Sequence, residues 1–370
     1  MDFSIDCDGP LRTKVENALI NAFSPVACET HGDRIEKCIT DVLFGTKKIR
    51  FNNYDDSQRS FMENLVSRYV ALGSPIKMIG MWGAIKGYGL NLRRCGIDIW
   101  DAMGLNRYFD VGNSVKNIYT PGIAVTIISE DITETVLGSQ ENLPPLIKAY
   151  ADSLTDFANN HGDSVKILKE SELLNQLGIT TESFLQTASS MKDMLWAYWL
   201  ASNTVDESQR TDLPEYKALN EVGWRGTIPN VMREHYLNRA ATEYPNMDEN
   251  ARAQLVCTYF GIALSRYKVG MMKTNIDDTM GMLPPVKVGF GTLGPGVSGD
   301  MLKGRLDYKV KTSKNSKTTT PPWVGYGVLE DRSGVLEPTI LGVRKVFDTE
   351  PVQVTSNGVC FQADILKIAA

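Results

Sequence analysis

The sequence predicts an α/β protein: a Rossmann-like parallel sheet in the N-terminal half, a helical middle and a β-rich α+β C-terminal portion. Up to about residue 180, short apolar segments of strand length alternate with amphipathic segments of helical period. Residues 181–283 keep the helical period, and from residue 284 short β-type segments are separated by Gly, Pro and Ser. We therefore expect three regions, 1–180 with the functional site, 181–283, and 284–370 packed on the first.

Composition and charge narrow the class of protein. The chain has 370 residues, of which 42% are hydrophobic and 22% charged, as in ordinary globular proteins. A net charge of −5 argues against a general nucleic-acid-binding or membrane-binding surface. The most apolar stretch, 194–201, is too short to cross a bilayer, and the N-terminus lacks the apolar core of a secretory signal. We expect a cytoplasmic protein without nucleic-acid or membrane partners, and the oligomeric state is left open.

The first helix and strand are predicted before residue 85. Residues 57–73 have the apolar spacing of an amphipathic helix. Ser57 is suited to the N-cap and Gly73 to the C′ position that follows the helix. The apolar run 76–84 comes next and has the length of a buried strand.

Two further helices, each followed by a strand, are predicted next. Residues 97–109 predict a helix and 124–130 a second buried strand. The proline pair at 144–145 suits the first turn of another helix, because proline needs no backbone hydrogen-bond partner there. A third strand is predicted at 165–170. This alternation of strand and helix predicts βαβ units with parallel strands.

Metal-dependent and serine-hydrolase chemistry find no support in the motifs. The three histidines, His31, His161 and His235, stand outside any HxxxH or HxE arrangement, and no GxSxG sequence is present. The six cysteines include no CxxC pair, and scattered thiols suit a reducing compartment. We expect no metal site.

Two segments after residue 288 have open interpretations. GFGTLGPG at 289–296 contains GxGxxG, but a β-rich segment follows it where a dinucleotide fold would open a helix. It is a glycine-rich turn or a loop whose amides approach a phosphate. The segment 303–317 has six basic residues and is a solvated hairpin or a clamp for an anionic small molecule.

The richest segment for chemistry is 75–131. Open α/β sheets bind ligands beyond the carboxyl ends of their strands. The first predicted strand leads to Lys86 at this edge, and Asp98 and Asp101 share one face of the next helix. The second strand ends in Ser129, Glu130 and Asp131. A lysine can polarise or condense with a carbonyl, and a carboxylate can move protons. The alternative is a surface lysine beside a helix N-terminal aspartate pair favoured by the helix dipole.

This segment resembles the isonitrile (isocyanide) synthase family, which includes the pyoverdine and dityrosine biosynthesis proteins. There, a strand leads to a lysine in an FKSPN-like loop, followed by a PDxxE-like helix, a YpPGa segment and a strand ending in SDG. Here the order is IKMIGMWGAIKG, DIWDAMGLNRY and IYTPGIAVTIISED. Lys86 matches the lysine, Asp98 and Asp101 match the acidic pair, and Tyr119 matches the tyrosine of YpPG.

A second stretch is similar to the family's TPWHG region. TTPPWVGYGVLEDRSG supplies Pro322, Trp323 and Gly325. Val324 departs from the family histidine, and the asparagine after the first lysine is missing. In PPVKVGFG, the positions of the family's Arg, Ser and His hold Lys287, Gly289 and Gly291. In chain order the resemblance extends over residues 60–330, through short motifs.

The resemblance implies a specific reaction. Such enzymes join the α-amine of an amino acid to the ketone of ribulose 5-phosphate, and fragmentation of the sugar leaves one carbon on nitrogen as an isonitrile. They use no metal, nicotinamide or pyridoxal, so no cofactor is expected. The implied catalytic residues are Lys86, Asp98, Asp101 and Tyr119. The implied substrate-binding residues are Arg93, Arg94, Asp131, Lys287, Lys303 and Trp323.

Two alternatives stay open. The lost histidines favour a catalytically diverged member that acts as a binding or partner protein. The retained Lys86, Asp98, Asp101 and Trp323 favour an enzyme. A transferase that uses the glycine-rich loop at 289–299 for another phosphorylated substrate is the third candidate.

Overall fold

The structure is a computed structural model, and it describes residues 2–25, 30, 34–45, 56–83, 96–132, 143–221, 246–268, 286–287, 326–341 and 348–367. The chain forms two compact units. The first comprises Met1–Asp131, Asn142–Lys169 and Leu283–Ala370, and the second comprises Ile132–Glu141 and Glu170–Met282. The three-region division at 180 and 283 stays a prediction.

The described elements have the following bounds. The strands are β1 (Phe3–Ile5), β2 (Ile76–Gly83), β3 (Ile123–Glu130), β4 (Val165–Lys169), β5 (Val286–Lys287), β6 (Tyr326–Arg332), β7 (Val335–Leu341), β8 (Thr349–Glu350), β9 (Gln353–Ser356), β10 (Val359–Gln362) and β11 (Ile365–Leu366). The helices of the first unit are α1 (Gly9–Phe23), α2 (Ile35–Thr40), α3 (Asp56–Ala71), α4 (Ile99–Ile118) and α5 (Leu143–His161). Those of the second unit are α6 (Glu170–Gln176), α7 (Thr181–Ser202), α8 (Pro214–Glu221) and α9 (Glu249–Lys268).

The first unit has a parallel sheet of order β4-β3-β2-β5, which confirms the predicted fold class. β2 and β3 are in register from Ile76 opposite Ile123 to Gly83 opposite Glu130. The chain continues from β2 to β3 on one side, whereas β5 joins β2 on the other. The direction of winding therefore changes at β2, and the crevice beyond the carboxyl ends of β2 and β5 is where such sheets bind ligands.

Helix α4 lies between two β layers. It contacts β3 and β4 of the parallel sheet and also β6, β7 and β10. Every residue from Ile99 to Phe109 is buried, so no face of this part is left to solvent. The helix begins two residues later than the predicted 97–109 and continues to Ile118, because Val111 and Val115 extend the buried pattern.

The end of α3 confirms the role predicted for Gly73. This glycine has φ of 61°, a left-handed conformation that glycine adopts without steric cost. Its N–H donates to the Val70 carbonyl at 3.0 Å, and the Ser74 N–H donates to the Tyr69 carbonyl at 3.2 Å. This Schellman arrangement ends the helix and turns the chain into β2.

The C-terminal part is β-rich, as predicted. One antiparallel sheet has the order β1-β9-β10, and a mixed sheet has the order β7-β6-β11-β8. Two hairpin turns have positive φ at both central residues, Ser333–Gly334 and Asn357–Gly358. Such turns match the twist of the strands they join. Pairing of β1 with β9 joins the start of the chain to its C-terminal part.

The second unit is helical in its described parts. α7 packs on α9 and α8, and the Thr180 hydroxyl caps α7 by accepting from the Ser183 N–H at 3.1 Å. A Cβ at Gly261 of α9 would lie 2.6 Å from the Ala188 carbonyl oxygen, so only glycine permits this close approach. Across the described residues, no helix has both the length and the apolarity needed to span a membrane.

Candidate functional site

The candidate site lies at the carboxyl edge of the parallel sheet. α4 connects β2 to β3, which are parallel, so the helix returns from the carboxyl edge to the opposite edge of the sheet. Its N-terminus therefore lies at the same edge as the end of β3. Asp98 and Asp101 occupy that N-terminus, and Asp131 follows β3 directly. Three acidic residues selected from the sequence therefore lie on elements that end or begin at the same edge of the sheet.

Asp98 is the N-cap of α4 and is 4% exposed. Its Oδ1 accepts hydrogen bonds from the backbone N–H groups of Trp100 at 2.8 Å and Asp101 at 3.1 Å. Its Oδ2 accepts from the backbone N–H of Gly327 in β6 at 2.9 Å. One carboxylate therefore caps the helix and attaches it to a strand of the C-terminal part.

Asp101 completes a capping box, because its Oδ2 accepts from the Asp98 backbone N–H at 3.2 Å. Its Oδ1 accepts from the Tyr150 hydroxyl of α5 at 2.8 Å, and Asp101 is only 1% exposed. The second carboxylate thus joins α4 to α5. Since α5 leads from β3 to β4, this contact fixes two crossover helices of the sheet together.

The geometry of the pair favours a structural role. All four carboxylate oxygens of Asp98 and Asp101 accept hydrogen bonds from protein donors. These bonds hold both side chains in place at the start of α4. The arrangement agrees with the helix N-terminal interpretation, except that the pair is buried.

Sequence reasoning missed the importance of Gly327. A Cβ at this position would lie 2.6 Å from Cβ and 2.8 Å from N of Trp100, and 2.9 Å from Oδ1 of Asp98. β6 can approach the N-terminus of α4 only because residue 327 has no side chain. The signal was present as the second glycine of WVGYGV, close behind the PW motif.

Tyr119 is not brought to this edge, which corrects the expectation that it works beside Asp98 and Asp101. It is the C-cap residue of α4, and 21 residues at 1.5 Å each place it about 30 Å from Asp98 along the helix. Its hydroxyl lies 3.1 Å from the Tyr69 carbonyl and 2.9 Å from the Ser74 carbonyl. Desolvation raises the pKa of this phenol, so the group acts as a hydrogen-bond donor that fixes the connection from α3 to β2.

The remaining expected site residues divide into two groups. Asp131 is half-buried at the carboxyl edge, and Lys287 lies in β5 opposite Ile79 of β2. The other expected residues lie outside the described part of the chain: Lys86, Arg93, Arg94, Lys303 and Trp323. The glycine-rich segment 289–296 and the basic segment 303–317 also lie outside it.

The described residues offer neither a metal site nor a reactive thiol at Cys257. Within the described ranges, no three His, Cys, Asp or Glu side chains are grouped so that they could hold a metal ion. Burial raises the pKa of the Cys257 thiol in α9 to about 12, so this cysteine stays protonated near neutral pH. Only the thiolate is nucleophilic, so a thiol that stays protonated is a poor nucleophile. We therefore interpret Cys257 as a core residue.

No family model matches the sequence, and no curated protein matches it. Among solved structures, the chain is similar to PvcA from Pseudomonas aeruginosa, with a TM-score of 0.52 and 12% identity over 90% of this chain and 100% of PvcA. The tyrosyl-tRNA synthetase of Leishmania major in complex with tyrosinol gives a TM-score of 0.29, too low to support a shared fold. The chain and PvcA therefore share a fold and are distantly related at most.

Proposed function

We propose that this chain is an amino-acid-modifying enzyme of the isonitrile synthase type. Its reaction would condense an amino acid α-amine with ribulose 5-phosphate or a related phosphorylated ketose and install one carbon on nitrogen. The observation that supports this most strongly is the similarity in fold to PvcA, a protein of the pyoverdine and isonitrile synthase-like family, over its entire length. The motifs quoted above resemble the same family.

The topology supports a site at the carboxyl edge. Lys86 comes three positions after Gly83, the last residue of β2, and β2 is the strand at which the winding direction changes. Trp323 comes three positions before Tyr326, the first residue of β6, and β6 is bound to the start of α4 through Gly327 and Asp98. Both motifs are thus adjacent in sequence to elements at this edge, and the proposal assigns Lys86 and Trp323 to it.

The proposed roles follow from the chemistry of each side chain. Lys86 polarises the ketone or condenses with it, because an amine is the group that does both. Asp131 holds the ammonium group of the amino acid before reaction. The phosphate is held by four cationic side chains, those of Arg93, Arg94, Lys287 and Lys303. The aromatic ring of Trp323 bounds the site.

Asp98 and Asp101 take a different role from the one implied by the resemblance. Their oxygens are engaged with backbone and tyrosine donors, so we assign them to positioning the start of α4. Proton transfer then falls to Lys86 in this proposal. The aspartate pair would then affect the reaction indirectly, because it fixes the start of α4, to which the segment with Lys86 leads.

One observation favours the second candidate, a diverged member that binds a partner or ligand without catalysis. The retained aspartate pair was an argument for catalysis, but its hydrogen bonds explain its retention by folding alone. The lost histidines then count more heavily. A protein of this kind would still bind a phosphorylated ligand at the same edge.

Product analysis decides between the two. Purified protein is incubated with ribulose 5-phosphate and pooled amino acids, and products are identified by mass spectrometry, with Lys86→Met as control. A ribulose 5-phosphate-dependent isonitrile, or another product in which one carbon has been added to an amino acid nitrogen, supports the enzyme. Saturable binding of ribulose 5-phosphate without any product supports the binding protein.

A further inference from the structure

Ser129 in β3 has an unusual environment. Its side chain is fully buried, at 0% exposure, and within the described part of the chain its hydroxyl makes no hydrogen bond. Buried polar groups in proteins nearly always have a partner, because leaving one unsatisfied is costly. A hydroxyl in this position therefore requires an explanation.

The place of Ser129 in the sheet points to the candidate site. Successive side chains of a strand alternate between faces, so Ser129 shares its face with Val125 and Ile127, which belong to the hydrophobic core. Ser129 is the next-to-last residue of β3 and lies opposite Trp82 of β2 and Lys169 of β4. It is the last position on the core face of β3 before the carboxyl edge.

The charged residue paired with Ser129 in β4, Lys169, already has a partner. Nζ of Lys169 lies 3.7 Å from Oδ1 of Asp152 in α5, and the structure records no bond from it to Ser129. A polar group thus ends a row of apolar side chains at the edge where α/β sheets bind ligands. These two facts, the missing partner and the position, come from independent observations.

We infer that the Ser129 hydroxyl binds the substrate, by hydrogen-bonding to a hydroxyl or carbonyl oxygen on the carbon chain of the phosphorylated ketose. This inference rests on the proposed function. A serine hydroxyl is uncharged and both donates and accepts, which suits a sugar oxygen. A phosphate is bound best by cationic side chains, and serine is uncharged, so the sugar chain is the more suitable partner than the phosphate.

The test uses Ser129→Ala, which removes the hydroxyl and little else. Isothermal titration calorimetry measures binding of ribulose 5-phosphate and, separately, of inorganic phosphate to the full chain. Loss of one neutral hydrogen bond should weaken ribulose 5-phosphate binding by about fivefold to tenfold. Binding of inorganic phosphate should not change, because the contact is to the sugar chain. The melting temperature should stay equal or rise, since the lost hydroxyl had no protein partner.

Ser114→Ala is the matched control, because the Ser114 hydroxyl donates to the Asp110 carbonyl within α4 at 2.8 Å. It should bind ribulose 5-phosphate as the wild type does. If the wild type binds ribulose 5-phosphate and Ser129→Ala binds it equally well, the inference about Ser129 is overturned and the proposed function stands. A lower melting temperature with unchanged binding would instead assign the hydroxyl to a buried water. A wild type that does not bind ribulose 5-phosphate overturns the proposed function and the inference with it.

Discussion

The backbone N–H of Gly327 donates a 2.9 Å hydrogen bond to Oδ2 of Asp98, although the two residues are 229 positions apart in the sequence. This bond connects the first strand of the C-terminal β hairpin to the helix that begins at the carboxyl edge of the parallel sheet. Asp98 caps α4 with its other oxygen, so one carboxylate holds both the helix and the strand. The relationship makes the geometry of the candidate site dependent on the C-terminal part of the chain.

Asp98→Ala should lower the free energy of unfolding by about 2–4 kcal/mol. The change removes an N-cap, worth about 1 kcal/mol, and leaves the buried Gly327 N–H unsatisfied at a cost of about 1–3 kcal/mol. Urea denaturation measures the effect. Asp8→Ala is the control, because Asp8 is the N-cap residue of α1 and makes no capping hydrogen bond there. Equal losses in the two variants would contradict the structural role of Asp98.

Gly327→Ala should destabilise the fold by about 1–3 kcal/mol, because the added methyl group overlaps the backbone and Cβ of Trp100. Gly334→Asn in the same hairpin is the control. No atom lies within 4 Å of a Cβ at Gly334, and asparagine tolerates its positive φ better than most residues. Thermal melting of both variants is the measurement, and a control that melts as low as Gly327→Ala would count against the steric argument.

Tyr150→Phe should cost about 1–2 kcal/mol, because the Asp101 carboxylate loses a buried donor. A double-mutant cycle with Asp101→Ala, which removes the acceptor, separates this pair from other effects of each change. We expect a coupling energy of about 1 kcal/mol from urea denaturation of the four proteins. Strictly additive effects would show that the 2.8 Å contact contributes nothing to stability.

Lys86→Arg should lower turnover almost as much as Lys86→Met does. Arginine keeps the charge but is bulkier and does not deprotonate, so it cannot condense with a carbonyl. Loss of a group at which charge develops typically lowers turnover by ~10²–10³-fold. Turnover is measured on the substrates returned by product analysis, with melting temperatures as the check on folding. Near wild-type turnover in Lys86→Met would remove Lys86 from the mechanism.

His161 should make stability depend on pH. Burial lowers the pKa of its ring below the ordinary value of 6.5, and the ring stacks on Phe157 at 3.8 Å. At a pH between the folded and the unfolded pKa, the unfolded chain binds more protons at this histidine than the folded chain does. The stability that neutral His161 contributes is therefore complete above pH 6.5 and is lost as the pH falls through the folded pKa. His161→Phe keeps an aromatic ring and should show a smaller drop in melting temperature between about pH 7.5 and about pH 5, the range over which histidine titrates. An unchanged pH dependence would contradict this.

Local patterns were sufficient for the helices and strands from α3 to β4. The amphipathic period of 57–73, the apolar runs at 76–84 and 124–130, and the left-handed glycine at 73 depend on near neighbours in the chain, so the sequence predicted α3, β2, β3 and the helix end at Gly73. It also placed Asp98 and Asp101 together, because residues three apart on a helix share a face. The length of α4 was underestimated, since Val111 and Val115 are buried by strands distant in sequence.

What those aspartates do was decided by the tertiary structure. From the sequence alone, Asp98 and Asp101 suit proton transfer as well as helix capping, and Tyr119 suits the same site. The folded chain brings Gly327 and Tyr150 to the carboxylates and carries Tyr119 to the far end of α4. The sequence by itself determined the alternating helices and strands from α3 to β4 and the position of Asp98 and Asp101 at the start of α4. The partners of each side chain depend on contacts between segments as much as 229 residues apart, and no local pattern specifies those contacts.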